Sequence, residues 1–137
     1  MRISITANST FQRDMRKEGW KLKSDVDVQI GEFNLELVEF FKDEENYIKG
    51  TEMEKRAKKL NANLSQRHAE VLLANQDKIP VEFREKYFLV FTGTVWVDGL
   101  GHRRVPYLHW HGGQWYLYFR WLDYGFSRRG RLVRICK

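Results

Sequence analysis

Cysteine is nearly absent: the 137-residue chain has one, Cys136. No internal disulfide can form, and a thiolate-based zinc site lacks its second sulfur, so packing and hydrogen bonds have to hold the fold. No apolar run approaches the roughly 20 residues of a membrane-crossing helix, and the opening stretch MRISITANST has no apolar signal-peptide core. A cytoplasmic protein that does not work in a membrane is expected. The short catalytic and binding signatures are missing too. DGLGHR at 98–103 lacks the third glycine and the following helix of a dinucleotide fingerprint, and there is no P-loop, HExxH or HNH pattern. Residues 87–97 do not match the RNP1 pattern, and neither a KH loop nor helix-turn-helix glycine spacing occurs.

What is present is unevenly divided. Charged residues at 31% and hydrophobic ones at 42% are near globular averages, which excludes wholesale disorder, and the length suits one domain, residues 1–137. Residues 1–80 carry 14 basic and 14 acidic side chains, whereas residues 81–137 carry ten and four, so the net charge of +6 resides in the second segment. That segment also holds 14 of the 20 aromatic rings and eight arginines. A neutral, helix-bearing segment 1–80 meets a basic, aromatic-rich β segment 81–137 near Pro80.

In the first segment a strand is predicted over Arg2 to Thr6. A short helix follows from Phe11 to Glu18, capped by Asn8, Ser9 or Thr10 and ended by Gly19. Alternation from Trp20 to Ile30 predicts a half-buried strand. Residues 32–42 fit both periods and are assigned to a helix. Thr51 followed by Glu54 reads as a capping box, opening one long helix over about 51–77, with Met53, Ala57, Leu60, Leu64 and Val71 on one face. Asn61, Asn63 and Ser65 are poor helix formers at which it can break.

The second segment reads as a β-meander over 86–136, with a central strand from Tyr87 to Val97 and a second over 102–111. Pro106 confines that second strand to an edge or a bulge, because proline cannot donate to a ladder. Gly112-Gly113 is a two-residue hairpin turn leading into residues 114–122, and the last strand is Arg131 to Cys136. The expected architecture is α+β: an antiparallel meander packed against the long helix, with smaller N-terminal elements.

Parity in residues 114–122 puts Trp115, Leu117, Phe119 and Trp121 on a core face and Gln114, Tyr116, Tyr118 and Arg120 on the other. Tyrosines flanking an arginine offer base stacking and phosphate contact. The competing expectation is that the long helix covers them. Arg128, Arg129, Arg131 and Arg134 add guanidiniums that grip phosphate or carboxylate in a fork, although a solvated hairpin partly paired to Asp123 would look the same. His109 and His111 share a strand side, and with Asp98 and His102 they could bind zinc or, without metal, act as acid and base on RNA. Ordinary surface histidines are the simpler expectation.

The abundance of contact residues and the scarcity of chemical ones favour a non-enzymatic protein. It would bind nucleic acid or a nucleoprotein complex through Tyr116, Tyr118, Arg120, Arg128, Arg129, Arg131 and Arg134, with no cofactor. Two alternatives stand beside it. One is an inhibitor or adaptor of the phage or mobile-element accessory type acting on a host protein complex, since the same residues populate interface hot spots. The other is a small histidine-based nuclease.

Overall fold

The computed structural model describes residues 1–6 and 10–136, so the expected caps Asn8 and Ser9 lie outside the described residues. The strands are β1 (Arg2–Ile5), β2 (Lys21–Ser24), β3 (Gly31–Val38), β4 (Tyr47–Lys49), β5 (Phe88–Val90), β6 (Val95–Val97), β7 (Arg103–His111), β8 (Gln114–Trp121), β9 (Gly125–Ser127) and β10 (Gly130–Ile135). The helices are α1 (Gly50–Lys59) and α2 (Gln66–Ala74). The main sheet runs β1-β3-β10-β5-β7-β6-β2 with β8 on the other side of β7, and β4 pairs with β9 separately. None of the described helices is long and apolar enough to cross a membrane.

The fold is mixed α and β with a largely antiparallel sheet, but several of its expected details are corrected. The long helix is two. Asn61 is left-handed at φ 53°, the Ala62 N–H bonds the Ala57 carbonyl at 2.8 Å and the Asn61 N–H bonds that of Lys58 at 3.2 Å. This is a Schellman closure with asparagine in the left-handed position, and buried Ala57 and Ala62 supply its apolar contact. The Thr51 box does not start α1 either. Lys49 is the N-cap, without a side-chain bond, because β4 runs straight into the helix and the Gly50 N–H is taken by the Tyr124 carbonyl.

Second, the ladder is not a plain meander. β10 pairs parallel with β5 and antiparallel with β3, and the Tyr87 to Val97 run is broken into β5 and β6. Pro106 explains part of that break. Its carbonyl accepts from the Phe91 N–H, and a strand residue's N and O point the same way. Its missing donor therefore faces the gap where β5 has ended and β6 has not begun. β7 is an inner strand despite its proline.

Third, residues 31–38 are strand, not helix. Asn34 meets Arg2, 32 positions away, and Glu36 meets Arg134, 98 positions away. A sequence with two acceptable periods takes the one for which distant partners complete both edges. In the N-terminal part, β2 ends at Ser24, after which Asp25 turns to Arg67 and Thr94. The helix expected at 11–18 is only a 3-10 turn over Met15–Glu18, capped by the Asp14 side chain and closed by Gly19.

The core has two layers, one on each sheet face. Leu64, Ala69 and Leu72 of the α2 region pack with Ile3, Leu89, Trp96, Leu108, Leu117 and Phe119. Met53 and Ala57 of α1 pack on the other face with Val90, Val105, Leu122, Phe126 and Leu132. The apolar stripe from Met53 to Val71 is thus shared between opposite faces, and the α1–α2 connection changes sides at the β5–β6 break. There the Gly93 N–H donates to the Leu64 carbonyl at 2.8 Å.

A buried polar network pins α2. The Ser65 hydroxyl accepts the Arg67 N–H at 3.1 Å, and the Ser65 N–H donates to His68 Nδ1 at 3.0 Å, a capping box with histidine in the third position. Gln66 accepts the Trp96 indole N–H at 2.7 Å, and Glu70 accepts the N–H groups of Gln12 and Arg13. Burial pushes His68 down to about 4, the Arg67 cation acting in the same direction. The unfolded chain therefore takes up a proton first. The His68 contribution to stability is expected to be present above about pH 6.5 and to be lost towards pH 4, about 3 kcal/mol for this group. Chemical denaturation between pH 7 and 4.5 checks it. His109, also lowered, adds slope of the same sign, so His68→Gln, which keeps an acceptor, should flatten the profile by the His68 share. An unchanged slope in that variant would exclude the role.

Candidate nucleic-acid interface on the β7–β8 hairpin

Gly112 and Gly113 both have positive φ, 58° and 89°, which the primed two-residue turn needs and only glycine meets without strain. That turn sets the register: His111 faces Gln114, His109 faces Tyr116, Tyr107 faces Tyr118 and Val105 faces Arg120. Odd residues of β7 and even residues of β8 therefore share one face. Trp115, Leu117 and Phe119 are buried on the other, as parity predicts.

Cover divides this shared face. Its Val105 end lies under the layer that contains α1 and β9, and there Arg103 approaches Glu54 at 3.6 Å. The Arg120 guanidinium lies 5.0 Å from the Phe126 ring and donates to the Gly125 carbonyl at 2.8 Å. Beyond Arg120 the cover thins: Tyr107 still packs on the Phe88 ring at 5.8 Å. Tyr116 and Tyr118 are 36% and 37% exposed, so the helix expected as their competing partner stops short of them. Tyr107 and His109 are half-buried beside them, and His111 and Gln114 are exposed.

The rings form a connected row. Centroid separations are 5.8 Å for Tyr107–Tyr118, 6.1 Å for Tyr116–Tyr118, 6.2 Å for His109–Tyr118 and 6.4 Å for His111–Tyr116. The side chain of Gln114 bonds the Tyr116 hydroxyl. No carboxylate projects from the uncovered half of the hairpin, whose outward residues are Tyr107, His109, His111, Gln114, Tyr116 and Tyr118. Burial, the Arg129 cation and His111 hold His109 below the ordinary imidazole value, and burial raises the Tyr107 phenol.

The arginine tail is spread rather than gathered into one patch. Arg128 pairs with Glu39 at 2.9 Å and bonds the Lys42 carbonyl. Arg134 pairs with Glu36 at 2.6 Å. Arg131 lies 4.4 Å from the Tyr87 ring and bonds the Arg128 carbonyl. Alternation along β10 sends Arg131 and Arg134 to opposite faces. Arg129, exposed and bonded to the Glu85 carbonyl at 2.9 Å, is the tail arginine whose charge reaches the ring row.

The four metal candidates are not brought together. Asp98 sits in the β6–β7 turn, where its carboxylate accepts from the N–H groups of Leu100 and His102 and from Arg104 Nε at 2.7 Å. Burial alone would raise that carboxyl, but these donors outweigh it and hold it at about 2. His102 stacks on Trp121 at 4.1 Å. His109 and His111 lie towards the other end of β7, about 23 and 30 Å from His102 at strand rise. Among the described residues no group of three or more His, Cys, Asp or Glu is placed to hold a metal.

No family model, curated protein or solved structure matches the chain. Geometry alone therefore carries the functional reading.

A groove of about 600 Å³ borders the ring row at Tyr116 and Gln114 and runs between α2 and the outer edge of β8. Three of its polar side chains, Arg13, Glu70 and Gln76, are committed to backbone. Gln76 bonds both the N–H and the carbonyl of Trp115, in the manner of a neighbouring strand, and Arg13 bonds the Leu117 carbonyl at 2.6 Å. They close the edge of β8 instead of presenting chemistry.

The sequence put Tyr116 and Tyr118 on this face together with Arg120, whose guanidinium the structure places under cover against Phe126 and Gly125; it missed Tyr107 and treated His109 only as a ligand or base. The signal was there: once Gly112-Gly113 is taken as a two-residue turn, Tyr107 must face Tyr118.

Proposed function

We propose that this protein is a non-enzymatic nucleic-acid-binding protein that takes bases on the ring row of the β7–β8 hairpin. Tyr107, His109, Tyr116 and Tyr118 supply the stacking surface, and Arg129 supplies positive charge beside it. The observation that carries this reading is the open half-face of the hairpin: aromatic, with no carboxylate among its own outward residues and with a cation acting on it. Base–aromatic stacking tolerates any base because each has a π-face, and the absence of acid spares the phosphates repulsion.

Fluorescence anisotropy with labelled oligonucleotides tests the proposal. Tyr116→Ala and Tyr118→Ala should each weaken binding by about 1–3 kcal/mol. Arg129→Gln should reduce the salt slope of log K by about 0.7–0.9, one phosphate contact. Arg134→Gln, which removes the partner of Glu36 and a donor to the Leu60 carbonyl, both away from the ring row, should leave the slope alone. Failure of the unaltered protein to bind any oligonucleotide would rule this reading out.

A further inference from the structure

We infer that the nucleic acid held on the β7–β8 ring row is a single strand stretched so that its successive bases are unstacked from one another. This rests on the reading of that face as a nucleic-acid surface and goes beyond it by naming the form of the ligand.

Spacing is the first reason. Bases in a regular duplex follow one another at about 3.4 Å along each strand. The rings of Tyr107 and Tyr118 are 5.8 Å apart, and those of Tyr116 and Tyr118 are 6.1 Å apart. Two successive bases of a duplex cannot each lie on its own ring at that separation, and their π-faces are already covered by neighbouring pairs. A single strand drawn out to nearly twice the duplex rise presents one base to each ring.

Charge is the second reason. Duplex binding without a groove-entering element depends on many phosphate contacts, and two of the tail arginines that could make them are paired within the fold, Arg128 with Glu39 and Arg134 with Glu36. The cations acting on the rings are Arg129, on His109, and Arg120, on Tyr107. Two such cations neutralise few phosphates, and stacking has to supply most of the affinity. Only an unpaired base can stack in this way.

The test compares a fluorescein-labelled oligothymidylate of about 12 nucleotides, within the ~4–16 nucleotide site sizes of small sheet modules, with a duplex of the same length and label. The single strand is expected to bind about tenfold or more tightly than the duplex, the worth of one stack. Tyr118→Ala should weaken single-strand binding by roughly 5- to 150-fold and leave duplex binding little changed, while Tyr118→Phe, which keeps the ring, should bind like the unaltered protein. Should the alanine variant melt below the assay temperature, Tyr118→Leu keeps an apolar side chain on the strand and removes only the π-face. Equal or tighter duplex binding, or equal weakening of both ligands by Tyr118→Ala, would overturn the single-strand inference and leave the nucleic-acid reading standing. Binding of neither ligand would overturn both.

Discussion

Gly93→Ala is expected to cost about 3 kcal/mol or more, through overpacking that no side-chain movement can relieve. A Cβ at position 93 would lie 2.3 Å from the Asn63 carbonyl oxygen and 2.6 Å from that of Leu64. Both obstacles are backbone, and both belong to the segment that carries the chain from one sheet face to the other. Relief would mean moving that segment, together with the Gly93–Leu64 hydrogen bond and the first residues of α2. Because small domains are stable by only about 5–15 kcal/mol, the melting temperature should drop sharply or the protein fail to accumulate folded. Gly99→Ala is the matched control, since a Cβ there meets nothing within 4 Å. Equal melting temperatures for the two variants would show that the crossing at the β5–β6 break is wrongly placed.

The second large effect separates the two faces of β8. Phe119 is 9% exposed, its ring 5.4 Å from that of Trp20 and 5.0 Å from the Arg13 guanidinium. Phe119→Ala should destabilise by about 3–5 kcal/mol through lost burial and a residual cavity. Tyr118, the adjacent residue, points to the open half-face, and Tyr118→Ala should cost about 1 kcal/mol or less in stability, as exposed substitutions usually do. Denaturant titrations of both variants measure the contrast. Comparable losses at 118 and 119 would mean that β8 is covered on both faces, and the ring row would then be core rather than surface.

Much of the candidate surface was legible because its layout depends on local rules. Strand alternation separates Trp115, Leu117 and Phe119 from Tyr116 and Tyr118 whatever the rest of the chain does, and a two-residue glycine turn has few registers available. The histidine and arginine readings went further than such rules reach. Asp98, His102, His109 and His111 are close in sequence, yet the strand sets His109 and His111 about 23 and 30 Å from His102. Arg128 and Arg134 read as free guanidiniums because Glu39 and Glu36, their partners, lie some 90 positions earlier.

By itself, then, the sequence determined the mixed α and β class, the β7–β8 hairpin with its register, the parity of β8 and the concentration of rings and arginine in the second segment. Each follows from side-chain period, turn chemistry or counting within a few residues. Tertiary structure alone decided three things. Residues 31–38 became a strand because β1 and β10 bracket them, the two helices, parted at the Asn61 break that the sequence had offered, went to opposite faces of the sheet, and cover thinned beyond Arg120. All three depend on partners brought together from distant parts of the chain. Local propensity, which spans about 1 kcal/mol per residue, does not outweigh the burial and hydrogen bonding that those partners supply.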